Sequence, residues 1–102
     1  MTQQIKIAFI VMGGPESDPA KHRSVIVTSM LELTTVFVKD RDQAVEVARQ
    51  SVDQGCGAIE LCGGFGHAAT AKIAEALKGK AAVGAVRFDF HPLFGKSVDE
   101  VF

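Results

Sequence analysis

Hydrophobic positions along this chain come in short apolar runs, separated by segments with helical spacing. Residues 5–12 are almost continuously apolar and of strand length, which predicts a strand buried on both faces. Residues 33–38, rich in Thr, Val and Phe, predict a second strand, and residues 25–28 predict a short strand or edge segment. Residues 58–62 and 82–90 complete a predicted set of four main strands.

Two segments show the spacing of amphipathic helices, residues 41–54 and 68–78. Asp40 precedes the first of them as a natural N-cap, and Gln43 three residues later completes a capping-box pattern. Gly55 follows at the position where a left-handed residue ends a helix.

The predicted element order is β–β–α–β–α–β, which indicates a small single-domain α/β fold over residues 1–102. Right-handed crossovers make the strands joined by helices parallel. We therefore expect a mostly parallel four-stranded sheet with two main helices, flavodoxin-like or half-barrel-like. In such a sheet ligands bind beyond the carboxyl ends of the strands.

Composition narrows the set of partners. Hydrophobic residues make up 47% of the 102 residues, which favours a homodimer or higher homo-oligomer that hides apolar surface. The net charge is −1 and no basic stripe occurs, which argues against nucleic acid. No apolar run is long enough for a bilayer and no signal peptide is apparent. Cys56 and Cys62 form no CxxC motif, so a reducing cytoplasm is the expected location.

A glycine-rich turn between strand and helix is the first candidate site. Gly63, Gly64 and Gly66 lack side chains, so a phosphate or carboxylate can approach the backbone at the positive end of the following helix. The alternative is a tight turn that needs glycine only for its backbone angles. The pattern matches neither a P-loop nor a dinucleotide fingerprint.

Charged residues near the same edge supply candidate chemistry. His67 opens the second helix as an anion donor or an acid–base group. Glu60 lies within an apolar strand, where a carboxylate must be paired, protonated or directed at a cavity. Arg87 is its expected partner, either in a structural ion pair or in a catalytic site.

A polar row is expected at the end of the last strand, since Arg87, Asp89 and His91 alternate with phenylalanines. The row is either an anion site with an Asp-oriented histidine or a salt-bridge ladder that holds the tail. Asp89, His91 and His67 are also a lesser candidate for a metal site, although no recognised metal-ligand spacing is present.

Three further features of the chain allow two interpretations each. Cys62 before a helix start is either a nucleophile or, more commonly, an inert buried thiol. His22 and Arg23 are either a lid over the site or solvated loop residues. The tail segment 97–100 has a capping-box pattern and is expected to dock on the body or on a neighbouring chain.

Three strings resemble a bacterial family of unknown function, number 6506. They are Ala-Ile-Glu-Leu-Cys-Gly-Gly-Phe-Gly at 58–66, Val-Arg-Phe-Asp-Phe-His-Pro at 86–92 and Asp-Pro-Ala-Lys-His-Arg at 18–23. The resemblance spans nearly the whole chain and implies a single-domain α/β protein. It implies no established activity, so no catalytic residue or cofactor can be transferred.

Two functional hypotheses follow from the residues. In the first, the protein binds or converts an anionic or phosphorylated metabolite, held by the three glycines and Arg87. Acid–base chemistry would then fall to Glu60 with His67 or His91, with Asp89 orienting the latter. In the second, the protein is a non-catalytic oligomeric subunit or interaction module, and the polar residues form structural pairs.

Overall fold

Five strands form one mixed sheet in the computed structural model, which describes residues 4–88, 90–93 and 95–100. In chain order the strands are β1 (Ile5–Met12), β2 (Arg23–Val27), β3 (Leu31–Val38), β4 (Ala58–Leu61) and β5 (Ala82–Ala85). The order across the sheet is β2-β3-β1-β4-β5. Only β2 runs antiparallel to its neighbour, so the prediction of a mostly parallel sheet is confirmed. Of the predicted segment 25–28, residues 25–27 belong to this edge strand.

Two helices, α1 (Arg41–Asp53) and α2 (His67–Ala76), connect the parallel strands. Asp40 caps α1 as predicted, since its Oδ1 accepts the Gln43 backbone N–H at 2.8 Å. The Gln43 side chain in turn accepts the N–H of Lys39 at 2.8 Å. Gly55 follows α1 with φ at 103°, the left-handed conformation expected there. No helix of the described residues is long and apolar enough to cross a bilayer.

Both helices pack on the same face of the sheet. On that side Ala8, Ile10, Ile59 and Leu61 are fully buried. The chain passes from β3 to β4 and from β4 to β5 in the same direction across the sheet, so right-handed crossovers place α1 and α2 on one side.

The opposite side of the sheet has no helix over it in the described part of the chain. It carries Ile7, Phe9, Ile26, Leu33 and Glu60, and we call it the open face. The expectation that residues 5–12 are covered on both faces is therefore wrong. An apolar run shows that both faces of a strand are apolar, but it does not show which face is covered by other residues of the same chain.

The last predicted strand, 82–90, is shorter than expected. β5 ends at Ala85, and a final bond joins the Val86 N–H to the Leu61 carbonyl at 3.0 Å. Beyond this point β4 has already turned away, so no neighbouring strand remains to pair with. Instead β6 (Phe90–His91) and β7 (Lys96–Ser97) form a small antiparallel hairpin, followed by the 3₁₀ turn Val98–Glu100.

Candidate functional site

The turn after β4 is folded around the sulfur of Cys62. Its Sγ accepts the backbone N–H of Met12 and that of Gly64, each at 3.3 Å. The first bond fixes the carboxyl end of β1 beside the turn, and the second tightens the turn itself. Cys62 is half-buried, not fully buried as the more common interpretation expects, and its sulfur is a structural acceptor here.

Each of the three glycines in this turn faces a side chain of the protein itself. A Cβ on Gly63 would lie 2.6 Å from the ring of Phe88, and one on Gly64 would lie 2.9 Å from the Cβ of Met12. A Cβ on Gly66 would collide with the carboxylate of Asp99. In this structure the space that the glycines leave is thus filled from within the chain.

Asp99 occupies the N-terminal end of α2. Its Oδ2 accepts the backbone N–H of Ala68 at 3.1 Å, and Gly66, the N-cap residue, supplies no side-chain cap of its own. The Arg41 guanidinium lies 3.6 Å from Oδ1 and also donates to the Asp99 backbone carbonyl at 3.0 Å. A carboxylate is therefore held where the sequence predicts an anion, between a helix start and a cation.

The Oδ1 atom of Asp99 is the less satisfied of the two carboxylate oxygens. It is buried and accepts no hydrogen bond from the described residues, so the Arg41 charge at 3.6 Å is what compensates it there. A buried oxygen without a donor costs free energy. The contact of the tail with α2 is therefore less favourable than a fully bonded cap.

His67 and Arg87 lie together at the same end of α2. The Arg87 Nη2 lies 2.9 Å from the His67 Nε2, and both side chains are exposed. A guanidinium has only N–H donors, so in this contact Nε2 of His67 is the acceptor. Arg87 was expected to pair with Glu60; the structure pairs it with His67 instead.

Glu60 lies on the open face, away from the other candidates. Its neighbours across the sheet are Phe9 and Gly84, and it is exposed and forms no ion pair with any described residue. It borders a hollow of about 370 Å³ that Phe9 and Leu33 also line. Because α2 packs on the other side, the sheet separates Glu60 from His67, and these two do not form an acid–base pair here.

The predicted row at the end of the last strand is not a row in the structure. Arg87 follows β5, whereas His91 belongs to the β6–β7 hairpin, and Asp89 lies outside the described residues. His91 Nδ1 accepts the Leu93 N–H at 3.1 Å, and its ring packs at 4.9 Å from that of Phe88. Within the described ranges no cluster of three His, Cys, Asp or Glu residues is placed to hold a metal.

Cys56, His22 and Arg23 lie away from this end of α2. Burial raises the pKa of the Cys56 thiol, and the nearby Glu32 raises it further against a smaller opposing effect of Lys6. His22 ends a loop, where its Nδ1 accepts the Asp18 N–H at 3.0 Å, and Arg23 begins β2. Neither of these two covers the site.

The family model called Family of unknown function (DUF6506) matches residues 5–99 of the chain. The chain belongs to this family. The resemblance carried by the strings at 58–66 and 86–92 is thereby confirmed. Comparison with curated proteins and with solved structures gave no match.

The segment matched by the DUF6506 model runs from β1 to Asp99 and so includes both Arg41 and Asp99. Neither residue was a candidate from the sequence. The tail pattern at 97–100 indicated a turn that docks, and the Ser97 N–H does bond to the Glu100 side chain at 3.2 Å. The pattern does not identify the residue that the turn contacts, because that residue, Arg41, lies 58 positions away from Asp99 along the chain.

Proposed function

We propose that the chain binds a small anionic metabolite, carrying a carboxylate or a phosphate, at the N-terminal end of α2. The observation that supports this is the Asp99 carboxylate, which the Ala68 N–H and the Arg41 guanidinium hold at that position. A ligand anion would replace Asp99 there, and the 3₁₀ turn Val98–Glu100 would move away from α2. The exchange is favoured by the incomplete bonding of Asp99 Oδ1.

Three groups contribute to anion binding in this proposal. The helix start supplies about half a positive charge together with backbone N–H donors. Arg41 supplies a guanidinium from the first residue of α1. Arg87 supplies a second guanidinium, which its contact with His67, the first residue of α2, holds near the helix start. Two guanidinium groups beside one helix start suit a planar carboxylate or a phosphate.

The proposal is one of binding and assigns no reaction. The carboxylate expected to act in acid–base chemistry, Glu60, lies on the open face beyond the sheet. The imidazole of His67 already accepts a hydrogen bond from Arg87 at Nε2. Catalysis at this site would need a proton acceptor other than this pair.

The test is to remove the internal carboxylate and supply an external one. Thermal unfolding of the Asp99→Ala variant would be followed with inorganic phosphate and with succinate, each titrated at constant ionic strength. We expect Asp99→Ala to have a lower Tm than the parent in plain buffer. Either anion should raise the Tm of Asp99→Ala by more than it raises that of the parent. A ligand at 100 times its Kd contributes about 2.7 kcal/mol.

Glu100→Ala is the matched control, since Glu100 lies in the same turn but bonds only to Ser97 among the described residues. Its response to anions should equal that of the parent. Adding Arg41→Ala to Asp99→Ala should abolish the rise in Tm that the anions cause. Equal anion responses for Asp99→Ala and Glu100→Ala would contradict the proposal.

We also propose that the protein works in a reducing compartment such as the cytoplasm. Both cysteines are free thiols, and Cys56 is buried. A free buried thiol and a half-buried thiol that accepts backbone hydrogen bonds suit a location where disulfides do not form. Fractionation of the native host with an antibody to the chain is the corresponding measurement.

A further inference from the structure

The open face leaves large apolar side chains uncovered. Ile26 is 63% exposed and Ile5 58%, and Phe37, further along β3 on the same face, is 39% exposed. Phe9 and Leu33 are half-buried and line the hollow of about 370 Å³. These side chains lie on adjacent strands, so they form one continuous patch, and such patches on soluble proteins mark interaction surfaces.

The strand register gives this patch two unlike halves. One row across the five strands, from β2 to β5, reads Ile26, Leu33, Ile7, Ala58 and Ala82. The next row reads Ser24, Thr35, Phe9, Glu60 and Gly84. The first row thus runs from large residues over β2 and β3 to small ones over β4 and β5. The hollow borders Glu60 and Gly84 of the second row, and Phe9 and Leu33 line it as well.

We infer that two copies of this chain pack face to face through their open faces, about a twofold axis parallel to the strands and above β1. This rotation exchanges the two halves of the face and keeps each row level with the same row of the other copy, so the large residues of β2 and β3 lie over the small residues of β4 and β5. In the first row, Ile26 meets the partner's Ala82 and Leu33 meets the partner's Ala58. Aligned sheets pack in this way at a separation of about 10 Å.

The one charged side chain in the two rows fixes the direction of the axis. With the axis parallel to the strands, Glu60 faces the partner's Thr35, whose hydroxyl can donate to the carboxylate. An axis perpendicular to the strands and level with Glu60 would bring the two Glu60 carboxylates together, which like-charge repulsion disfavours. At any level, such an axis places each strand over its own copy, so large residues would lie over large ones and small residues over small ones.

The size of the open face is sufficient for a dimer. β1 and β3 have eight residues each, and β2, β4 and β5 have four or five. At a rise of about 3.3 Å per residue and a strand spacing of about 4.8 Å, the face projects about 460 Å². Two copies together then cover about 920 Å² in projection. Because side chains stand out from the sheet, the accessible area that they bury is larger and reaches about 1,000 Å², the lower bound for a biological interface.

Light scattering coupled to size-exclusion chromatography tests the inference on the full chain, with two matched variants. The parent should elute with twice the 10.8 kDa mass of one chain. Ile26→Lys places a charge on the open face and should give a monomer. Val27→Lys is the control, because Val27 is 58% exposed on the same strand but points to the other side. It should remain a dimer.

A charge pair tests the axis itself. Ala82→Glu alone should also give a monomer, and the double variant with Ile26→Lys should restore the dimer, because the introduced ammonium group then meets the introduced carboxylate of the other copy. Within one chain the two positions are four strands apart, about 19 Å, too far for a direct ion pair. Circular dichroism checks that each variant is folded.

Three results would overturn the inference. A parent chain that is monomeric at every concentration measured would mean that another molecule covers the open face. Dissociation by Val27→Lys as well as Ile26→Lys would indicate pairing through the free edge of β2. Failure of the charge pair to restore the dimer would exclude the proposed axis. The anion site at α2 lies on the other side of the sheet, so none of these results bears on it.

Discussion

Three glycines in the turn after β4 show how single residues set the packing around α2. Each of them allows a different group to come close: Phe88 at Gly63, Met12 at Gly64 and Asp99 at Gly66. None of the three has a positive φ, so what requires glycine here is the closeness of the neighbour and not the backbone angle. These glycines are packing residues of the turn.

Gly66→Ala should therefore destabilise the protein by about 1–3 kcal/mol, the usual cost of forcing atoms into a packed site. The added methyl displaces the Asp99 carboxylate from α2. Gly57→Ala is the control, since nothing lies within 4 Å of its added Cβ and its φ is not positive. Urea unfolding of both variants provides the comparison.

The origin of that loss can be checked in a double-mutant cycle with Asp99→Ala. Removing the carboxylate removes the collision, so Gly66→Ala should cost much less in the Asp99→Ala background than in the parent. Additive costs would show that Asp99 is not the group displaced.

The two cysteines should differ in reactivity. Burial raises the pKa of the Cys56 thiol, so less thiolate is present at a given pH, and the side chain is only 8% exposed. Cys62 is half-buried at the surface of the turn. At pH 8 a thiol reagent such as Ellman's reagent should modify Cys62 at least about tenfold faster.

Single-cysteine variants separate the two rates. The Cys62→Ala protein, which keeps Cys56, should react slowly until urea unfolds it, and the Cys56→Ala protein should react fast in the folded state. Equal rates in the folded proteins would contradict the assignment.

The two helices begin in different ways, and this difference is the main lesson at the scale of elements. α1 is capped by its own neighbour Asp40, whereas α2 has no side-chain cap at Gly66 and receives Asp99 from the tail. A local cap forms whenever the helix forms. A distant cap forms only when the tail is in place, so the start of α2 depends on the far end of the chain.

Asp40→Ala should lower the free energy of unfolding by about 1 kcal/mol, since it removes the acceptor of the Gln43 N–H. For a domain of this size the Tm should fall by about 4–8 °C. Asp53→Ala, at the other end of α1, should leave the Tm unchanged or raise it slightly, because an acid is unfavourable at a helix C-terminus. Calorimetry of the two variants checks both expectations.

How far the sequence predicts this fold depends on how local the signal is. The cap at Asp40, the end of α1 at Gly55 and the bounds of both helices follow from residues a few positions apart, and the structure confirms them to within two residues. The site is less predictable. Arg41 and Asp99 lie far apart in sequence, and no spacing rule connects them. The chain reaches Asp99 through the hairpin β6–β7, which the sequence does not predict: the pattern extends the preceding strand to Phe90 and treats the residues after it as a tail.

At the scale of the whole molecule, the main feature is that both helices lie on one side of the sheet. The order β2-β3-β1-β4-β5 moves both crossovers toward the same edge, and a single layer of helices results. An apolar run such as 5–12 does not indicate which face of the sheet the helices cover, because both faces of the strand are apolar. Part of the apolar surface that suggests an oligomer, including Ile5, Ile26 and Phe37, therefore lies on the open face.

If the open faces associate, unfolding is coupled to dissociation, and the Tm of the parent should rise with protein concentration. A tenfold increase corresponds to about 1.4 kcal/mol, which amounts to a few degrees for chains of this size. Ile26→Lys should show no such dependence. Calorimetric scans at about 10 µM and about 100 µM would provide the comparison, and a parent Tm independent of concentration would contradict the coupling.

The edge strand β2 has a consequence for handling the protein. All five of its residues are exposed, and Val25, Ile26 and Val27 place β-branched side chains on both of its surfaces. Arg23 is its single charge, and it lies at one end. Unprotected edges of this composition recruit further strands and lead to aggregation. We therefore expect β2 to lower the solubility of the chain, and a lysine at position 25 or 27 to raise it.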